Sequence, residues 1–374
     1  MPQTRPNPNR GKPIWLHILF LTLTPLAMAI LVPWWAMTHG ITGAEILVMF
    51  LLWGISGLGI TVGYHRLFSH RSFEAPAIIR LLSAILGGAA WQGSVIRWSS
   101  GHRHHHGKVD TDGDPYNAKR GFWWSHIGWI FFKNSIDDDF ENVPDLKKDA
   151  ICRWQHRWYM PLSTGFNLGV PALIGWFTGD LWGMLLFGCL VKVVLLHHCT
   201  FFINSLAHIS GSQPWSIANT SKDNWLLSFF TFGEGYHNYH HAYGADYRNG
   251  PKAYNFDPGK WLIWCLQWLG LASHLKRVGH DVIYRRRFTE SLDRFSPLPS
   301  MASLREKLEY SLDELQQARK DMLVSMREFQ EQRVADHKTA MKERKRAFRM
   351  ARKQAKRVLK EWEFALRQMA PQAT

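Results

Sequence analysis

Cysteine is scarce: the 374 residues contain four, Cys152, Cys189, Cys199 and Cys265, with no Cys-x-x-Cys pair among them. That spacing excludes a disulfide framework and a thiolate zinc site, and it points to a reducing compartment. Paired carboxylate motifs are missing too. A soluble di-iron carboxylate protein needs two Glu-x-x-His motifs and two further glutamates on a four-helix bundle, and only Glu234-Gly-Tyr-His237 has that form. No internal repeat and no nucleic-acid reading motif accompanies the formal net charge of +15. The excess of Lys and Arg is therefore read as a basic face beside anionic lipid headgroups, and nucleic acid is not expected as a partner.

Charge itself is absent from long stretches. Residues 15–35, 46–63 and 161–178 carry none, and 181–203 carry only Lys192. Each run is about long enough to cross the ~30 Å hydrocarbon layer as a helix, so four spans in two hairpins are expected. A secretory signal is rejected for the first run. It is too long, no small-residue cleavage site closes it, and Pro33-Trp34-Trp35 ends it like an interfacial aromatic belt. The connections 37–42 and 179–180 hold no Lys or Arg, whereas both terminal regions and the long middle loop are rich in them. The basic segments, and with them both termini, should face the cytosol. Lys192 stands out, since a charge near the middle of a span costs ~2.5–3.5 kcal/mol on insertion scales and the sequence names no partner for it.

Outside the spans, three divisions are expected: a basic arm over residues 1–13, a membrane and catalytic domain over 14–290, and a helical extension over 300–370. The segment 75–90 reads as an interfacial or re-entrant helix because it is short and interrupted by Arg80. In the extension, Leu308, Leu315, Met322 and Phe329 fall seven apart, half of a coiled-coil seam. Residues 338–357 are almost uniformly basic, broken only by Glu343, which fits a helix lying on an anionic membrane or meeting an acidic partner.

Histidine is what the chain gathers. His102, His105 and His106, and again His237, His240 and His241, stand at i, i+3 and i+4, which on an α-helix is one face. The same geometry turns His104 away and leaves it out. Asn204 and His208 pair at i, i+4, an amide beside an imidazole where a metal-bound water could be held. His65 and His70 are five apart and would diverge by about 140° on an α-helix, but could still meet if the chain unwinds beyond the membrane exit. Nine imidazoles exceed the roughly four to six ligands of one ion, which implies two metals. Structural zinc would more often recruit Cys, so the set favours a redox-active pair such as iron. Glu234 reads as a hydrogen-bond acceptor behind a ligand. His197, His198 and isolated histidines such as His17, His39 and His156 read as structural.

The ordered set His65-Arg-Leu-Phe-Ser-His70, His102-Arg-His-His-His106, Asn204-x-x-x-His208 and Gly233-Glu-Gly-Tyr-His-Asn-Tyr-His-His241 resembles the membrane fatty acyl desaturases of the stearoyl-CoA Δ9 type. So do Thr111-x-x-Asp114-Pro-x-Asn117 and Arg120-Gly-Phe-x-x-Ser-His-x-Gly-Trp129, and the likeness runs over residues 15–284. The resemblance implies an all-α integral membrane fold, with a cytosolic helical cap over the spans holding a di-iron site. One Fe2+ would take His65, His70, His102, His106 and His240, the other His105, His208, His237 and His241, with Asn204 holding a water. It further implies oxygen as oxidant, a cis double bond placed in a long acyl chain lying in a kinked apolar tunnel, and electrons from a separate ferredoxin-like or haem protein. A fatty acid hydroxylase with the same metal centre is the alternative. Where acyl-CoA members place basic residues after Gly-Trp, this chain has Lys133-Asn134 and then Asp137-Asp138-Asp139. The acyl carrier is thereby left open among CoA, carrier protein and lipid.

Overall fold

The computed structural model describes residues 11–133, 140–294, 301–332 and 335–369. Arg5 and Arg10 of the expected basic arm, and Asn134 with Asp137 to Asp139, lie outside them. Among the described residues the regular elements are helical, and strand pairing is limited to isolated bridges such as Pro13 with Phe132.

Helix α1, Trp15–Thr38, turns apolar side chains outward: Leu16, Leu19, Leu23, Leu26 and Ile30 are each more than half exposed, and only Leu21 and Trp35 are buried. Such a surface is stable only against lipid. Helix α2, Gly43–Leu58, starts at a capping box in which Thr42 Oγ1 accepts from the Glu45 amide at 3.2 Å. The buried Glu45 also accepts from Trp35 Nε1 at 2.7 Å, which fixes the turn between the two helices. From α2 the chain passes without a break into a π-helical segment, Gly59–Ser69. Helix α3, Ala77–Gly88, is apolar but too short to cross, as expected of an interfacial segment.

Among the described residues, three helices are long and apolar enough to span a membrane: Trp15–Thr38, Gly43–Ser69 and Leu181–Ile209. The expected run 161–178 is also helical, as Tyr159–Thr164, Gly165–Gly169 and Val170–Thr178 in succession, but it is not among the three. Its polar Asn167 has a structural reason. Lys192 Nζ donates to Asn167 Oδ1 at 2.5 Å and to Ala89 O at 3.0 Å, while Asn167 Nδ2 donates to the same carbonyl at 3.0 Å. Ala89 caps the C-terminus of α3, where the helix dipole favours a cation. The charge that lacked a partner in the sequence is thus held by hydrogen bonds from two other segments.

The chain divides into two compact units, Met1–Gln213 with Ala218–Arg277, and Pro214–Ile217 with Val278–Thr374. In the first, a core of Ile60, Val62, Tyr64, Phe68, Val95 and Ile96 packs the π-helical segment against helix α4, Val95–Lys108. In the second, His280–Arg294, Ala302–Gln332 and Ala335–Met369 pack together around Leu308, Leu312, Leu315, Val358, Leu359 and Trp362. Leu308 and Leu315 of the heptad seam are fully buried there, whereas Met322 is only half-buried.

Candidate metal centre

Four segments of the first unit deliver the histidines. His65 and His70 come from the π-helical segment and its C-cap, and His102, His105 and His106 from α4. His208 comes from the short helix Leu206–Ile209, and the remaining three from His237–Ala242. His65, His70, His102, His106 and His240 form one group and His105, His208, His237 and His241 a second, each with its ring nitrogens within 4.8 Å of one another. His104 belongs to neither group. His197 and His198 also stand apart, the first 2.8 Å from Ala90 O and the second 3.0 Å from His126 Nε2.

The chain does not leave the helix to bring His65 and His70 together. The backbone widens instead: the His70 amide donates to His65 O at 3.0 Å, an i to i+5 bond that stacks residues five apart on one side of a π-turn.

Within the groups the Nε2 atoms face one another. His70 and His102 are 2.7 Å apart, His65 and His240 2.9 Å, His106 and His240 2.9 Å, His105 and His241 3.1 Å, and His208 and His237 3.2 Å. Three of the outer nitrogens meet polar partners. His105 Nδ1 lies 2.9 Å from Asp114 Oδ1. His208 Nδ1 lies 2.8 Å from Thr220 Oγ1, which donates to Asp110 Oδ1 at 2.8 Å. His65 Nδ1 is 3.0 Å from Glu234 Oε2, off the line of a good hydrogen bond, so that contact is chiefly electrostatic. Glu234 is further held by Arg66 at 3.2 Å, by Asn249 Nδ2 at 2.5 Å and by the Thr61 hydroxyl, and Arg66 also meets Asp257 at 2.8 Å. Gly233 permits this approach: its φ is +97°, and a Cβ there would sit 2.7 Å from Asp257 Oδ1.

Burial, then the neighbouring imidazoles, push His70, His102, His106, His237, His240 and His241 well below the ordinary imidazole range. Burial alone would raise the Glu234 carboxyl, but His65 and Arg66 hold it down to about 2. Burial thus favours the neutral form of these six rings, and across both groups the Nε2 atoms converge. Lone pairs at such separations repel unless a cation lies between them. Two nitrogens each about 2.1 Å from one ion and at right angles sit about 3 Å apart, so the observed spacings fit imidazole ligation.

Sequence reasoning took Glu234 as an acceptor but did not reach Asp110, Thr220 or the Arg66–Asp257 pair. Asp110 and Asp114 flank the end of α4 within an acidic run, and that was the only local signal.

Both groups border a cavity of about 610 Å³. His65, His102, His105 and His237 line it, together with Trp91, Gln92, Trp98, Thr200 and Asn204. Gln92 Nε2 donates to Thr200 Oγ1 at 2.9 Å and Gln92 Oε1 accepts from Trp98 Nε1 at 3.3 Å, while the Trp98 ring stacks on His102 at 5.0 Å.

A sequence model of the family described as fatty acid desaturase matches residues 42–255, which takes in every histidine of both groups. The chain belongs to the fatty acid desaturase family. It is similar to the probable acyl-CoA desaturase of Schizosaccharomyces pombe, 39% identical over 70% of this chain and 54% of the relative. To acyl-CoA desaturase 1 of Saccharomyces cerevisiae it is 42% identical over 62% of this chain and 46% of the relative. The sn-2 palmitoyl-lipid 9-desaturase of Nostoc sp. is 36% identical over 69% of this chain and 88% of the relative. The chain thus spans about half the length of the two yeast relatives. Family membership and the long apolar helices together make it a membrane protein, with histidine clusters compatible with a metal site.

Proposed function

We propose that this chain is a membrane fatty acyl desaturase that introduces a cis double bond, at carbon nine, into a long saturated acyl chain, with oxygen and two electrons as co-reactants. The observation that carries the reading is the opening of both imidazole groups onto one largely apolar cavity. His65, His70, His102, His106 and His240 would hold one iron and His105, His208, His237 and His241 the other, with Asn204 on the cavity wall beside the second group. When bound, the iron pair supplies the oxidising power to take hydrogen from an unactivated CH₂.

The side chains do the rest. Asp114, Thr220 and Glu234 engage outer ring nitrogens, which keeps each Nε2 aimed inward. Arg66 offsets the charge of Glu234 in a site closed to water. Trp91 and Trp98 wall the cavity, and the bridge from Trp98 through Gln92 to Thr200 braces it, so that an acyl chain is held in a fixed path past the histidines.

The relatives' names carry both acyl-CoA and acyl-lipid substrates, and the substrate here is a long acyl chain on one of these carriers. A ferredoxin or haem protein would supply electrons. Tyr159–Thr178 is proposed as the fourth crossing, supported by the outward-facing Leu173, Trp176 and Phe177. The distribution of Lys and Arg supports a cytosolic position for both termini and the histidines. A membrane and catalytic domain over 14–290 and a basic extension over 300–370 complete the reading.

The test is product analysis after expression in a host without its own desaturase, together with metal analysis of the purified protein. Two irons per chain and an alkene formed with oxygen and reductant are expected. A hydroxy acid as the main product would favour the hydroxylase, and zinc retained without turnover would favour a structural scaffold.

A further inference from the structure

The second unit contains a feature that the chemistry above does not use. Along Ala335–Met369, the buried side chains Ala355, Val358, Leu359, Trp362 and Leu366 follow one helical stripe, and they are covered within the unit. Trp362 illustrates the covering: its Nε1 donates to Ser291 Oγ at 2.8 Å and its ring meets Phe288 at 5.3 Å. The apolar stripe is therefore already satisfied.

The other side of the helix is basic. Lys338, Lys342, Lys345, Arg349, Lys353, Lys356 and Lys360 recur every three or four residues, which aligns them in a single row. At a rise of 1.5 Å per residue that row is about 33 Å long, and on the helical wheel its centre lies about 120° from that of the buried stripe, on the exposed side of the helix. Nearby charges are neutralised within the unit: Arg344 meets Asp321 at 3.5 Å, Arg357 meets Glu361 at 3.5 Å and Arg287 meets Glu363 at 2.7 Å. Among the described residues, no carboxylate lies within ion-pair distance of the seven in the row. Two large apolar side chains of the same helix are also exposed, Phe364 at 64%, about 60° around the wheel from the row, and Met350 at 60%, about 100° from it.

We propose that this face docks on a bilayer surface bearing anionic phospholipid headgroups. A straight row of like charges on a helix repels itself, and a plane of opposite charge relieves the repulsion along the whole row at once. A compact acidic protein would engage only part of such a length. Phe364, on the flank of the row, is of the kind that enters the headgroup layer. The unit is also joined covalently to a chain that the apolar helices seat in a membrane.

The test uses the full-length protein in nanodiscs of phosphatidylcholine alone, or of phosphatidylcholine with phosphatidylglycerol. Lysine acetylation rates are read residue by residue by mass spectrometry. Lys342, Lys345, Lys353, Lys356 and Lys360 are expected to react several-fold more slowly in the anionic discs, and high salt should restore their rates. Lys320, exposed on the neighbouring helix, should react equally in both and serves as the internal reference. Arg349→Glu with Lys353→Glu, checked for unchanged helical content, should abolish protection of Lys345 and Lys356. Equal rates in the two kinds of disc, protection that survives the double charge reversal, or slowing that appears only when an acidic soluble protein is added would each overturn the proposal.

Discussion

Asp114 Oδ1 sits 2.9 Å from His105 Nδ1, on a loop whose own amides hold the carboxylate: Tyr116 N donates to Oδ1 at 3.2 Å and Asp110 N to Oδ2 at 3.1 Å. The contact fixes the His105 ring with its Nε2 turned toward His241. Asp114→Ala should therefore lower metal retention or turnover by about 10–100-fold without unfolding the protein. Metal content after dialysis and oxygen-dependent product formation give the measurement, and unchanged values for both would contradict the positioning role.

His104 and His105 are neighbours in sequence but not in the imidazole groups. His105 lies in the second imidazole group and His104 in neither. His105→Ala should abolish turnover and reduce bound metal, whereas His104→Ala should retain most of both. Equal losses in the two folded variants would remove the helical-face argument.

Gln92 joins Trp98 to Thr200 across the cavity. Gln92→Ala should leave both imidazole groups intact and loosen the wall proposed to guide the acyl chain. Metal content should be unchanged, while turnover falls by about 10-fold or more and the double bond spreads over neighbouring carbons. Mass spectrometric mapping of the products checks this, and a single unshifted product at the normal rate would count against it.

Lys192 and Asn167 form a buried couple, and removing one member differs from removing both. Asn167→Leu leaves a buried ammonium short of an acceptor, which costs about 1–3 kcal/mol or more, while Lys192→Met in that background should recover part of the loss. Thermal unfolding in detergent measures the cycle. Additive losses would mean that the two side chains act independently.

The coarse plan was legible in the chain because its signals are local. Uncharged runs predict helices that meet lipid, and i, i+3, i+4 spacing predicts which imidazoles of α4 and of His237–Ala242 share a face. His65 and His70 were harder: α-helical geometry separates them, and only the i to i+5 bond of the π-turn brings them together. Nothing local foretold that turn.

The sequence by itself determined which residues are able to ligate, which stretches prefer lipid to water, and where the basic face lies, since these follow from side-chain chemistry and period along one element. Spacing along the chain did not decide how nine imidazoles from distant segments divide into a group of five and a group of four; the family resemblance implied that division, and the tertiary structure brings the rings together in it. The tertiary structure alone decided that Asp110 reaches His208 through Thr220, and that a lysine within a span finds Asn167 and a helix-end carbonyl. Those outcomes depend on how helices pack against one another, and distances between segments remote in sequence are not written in the period of any one of them.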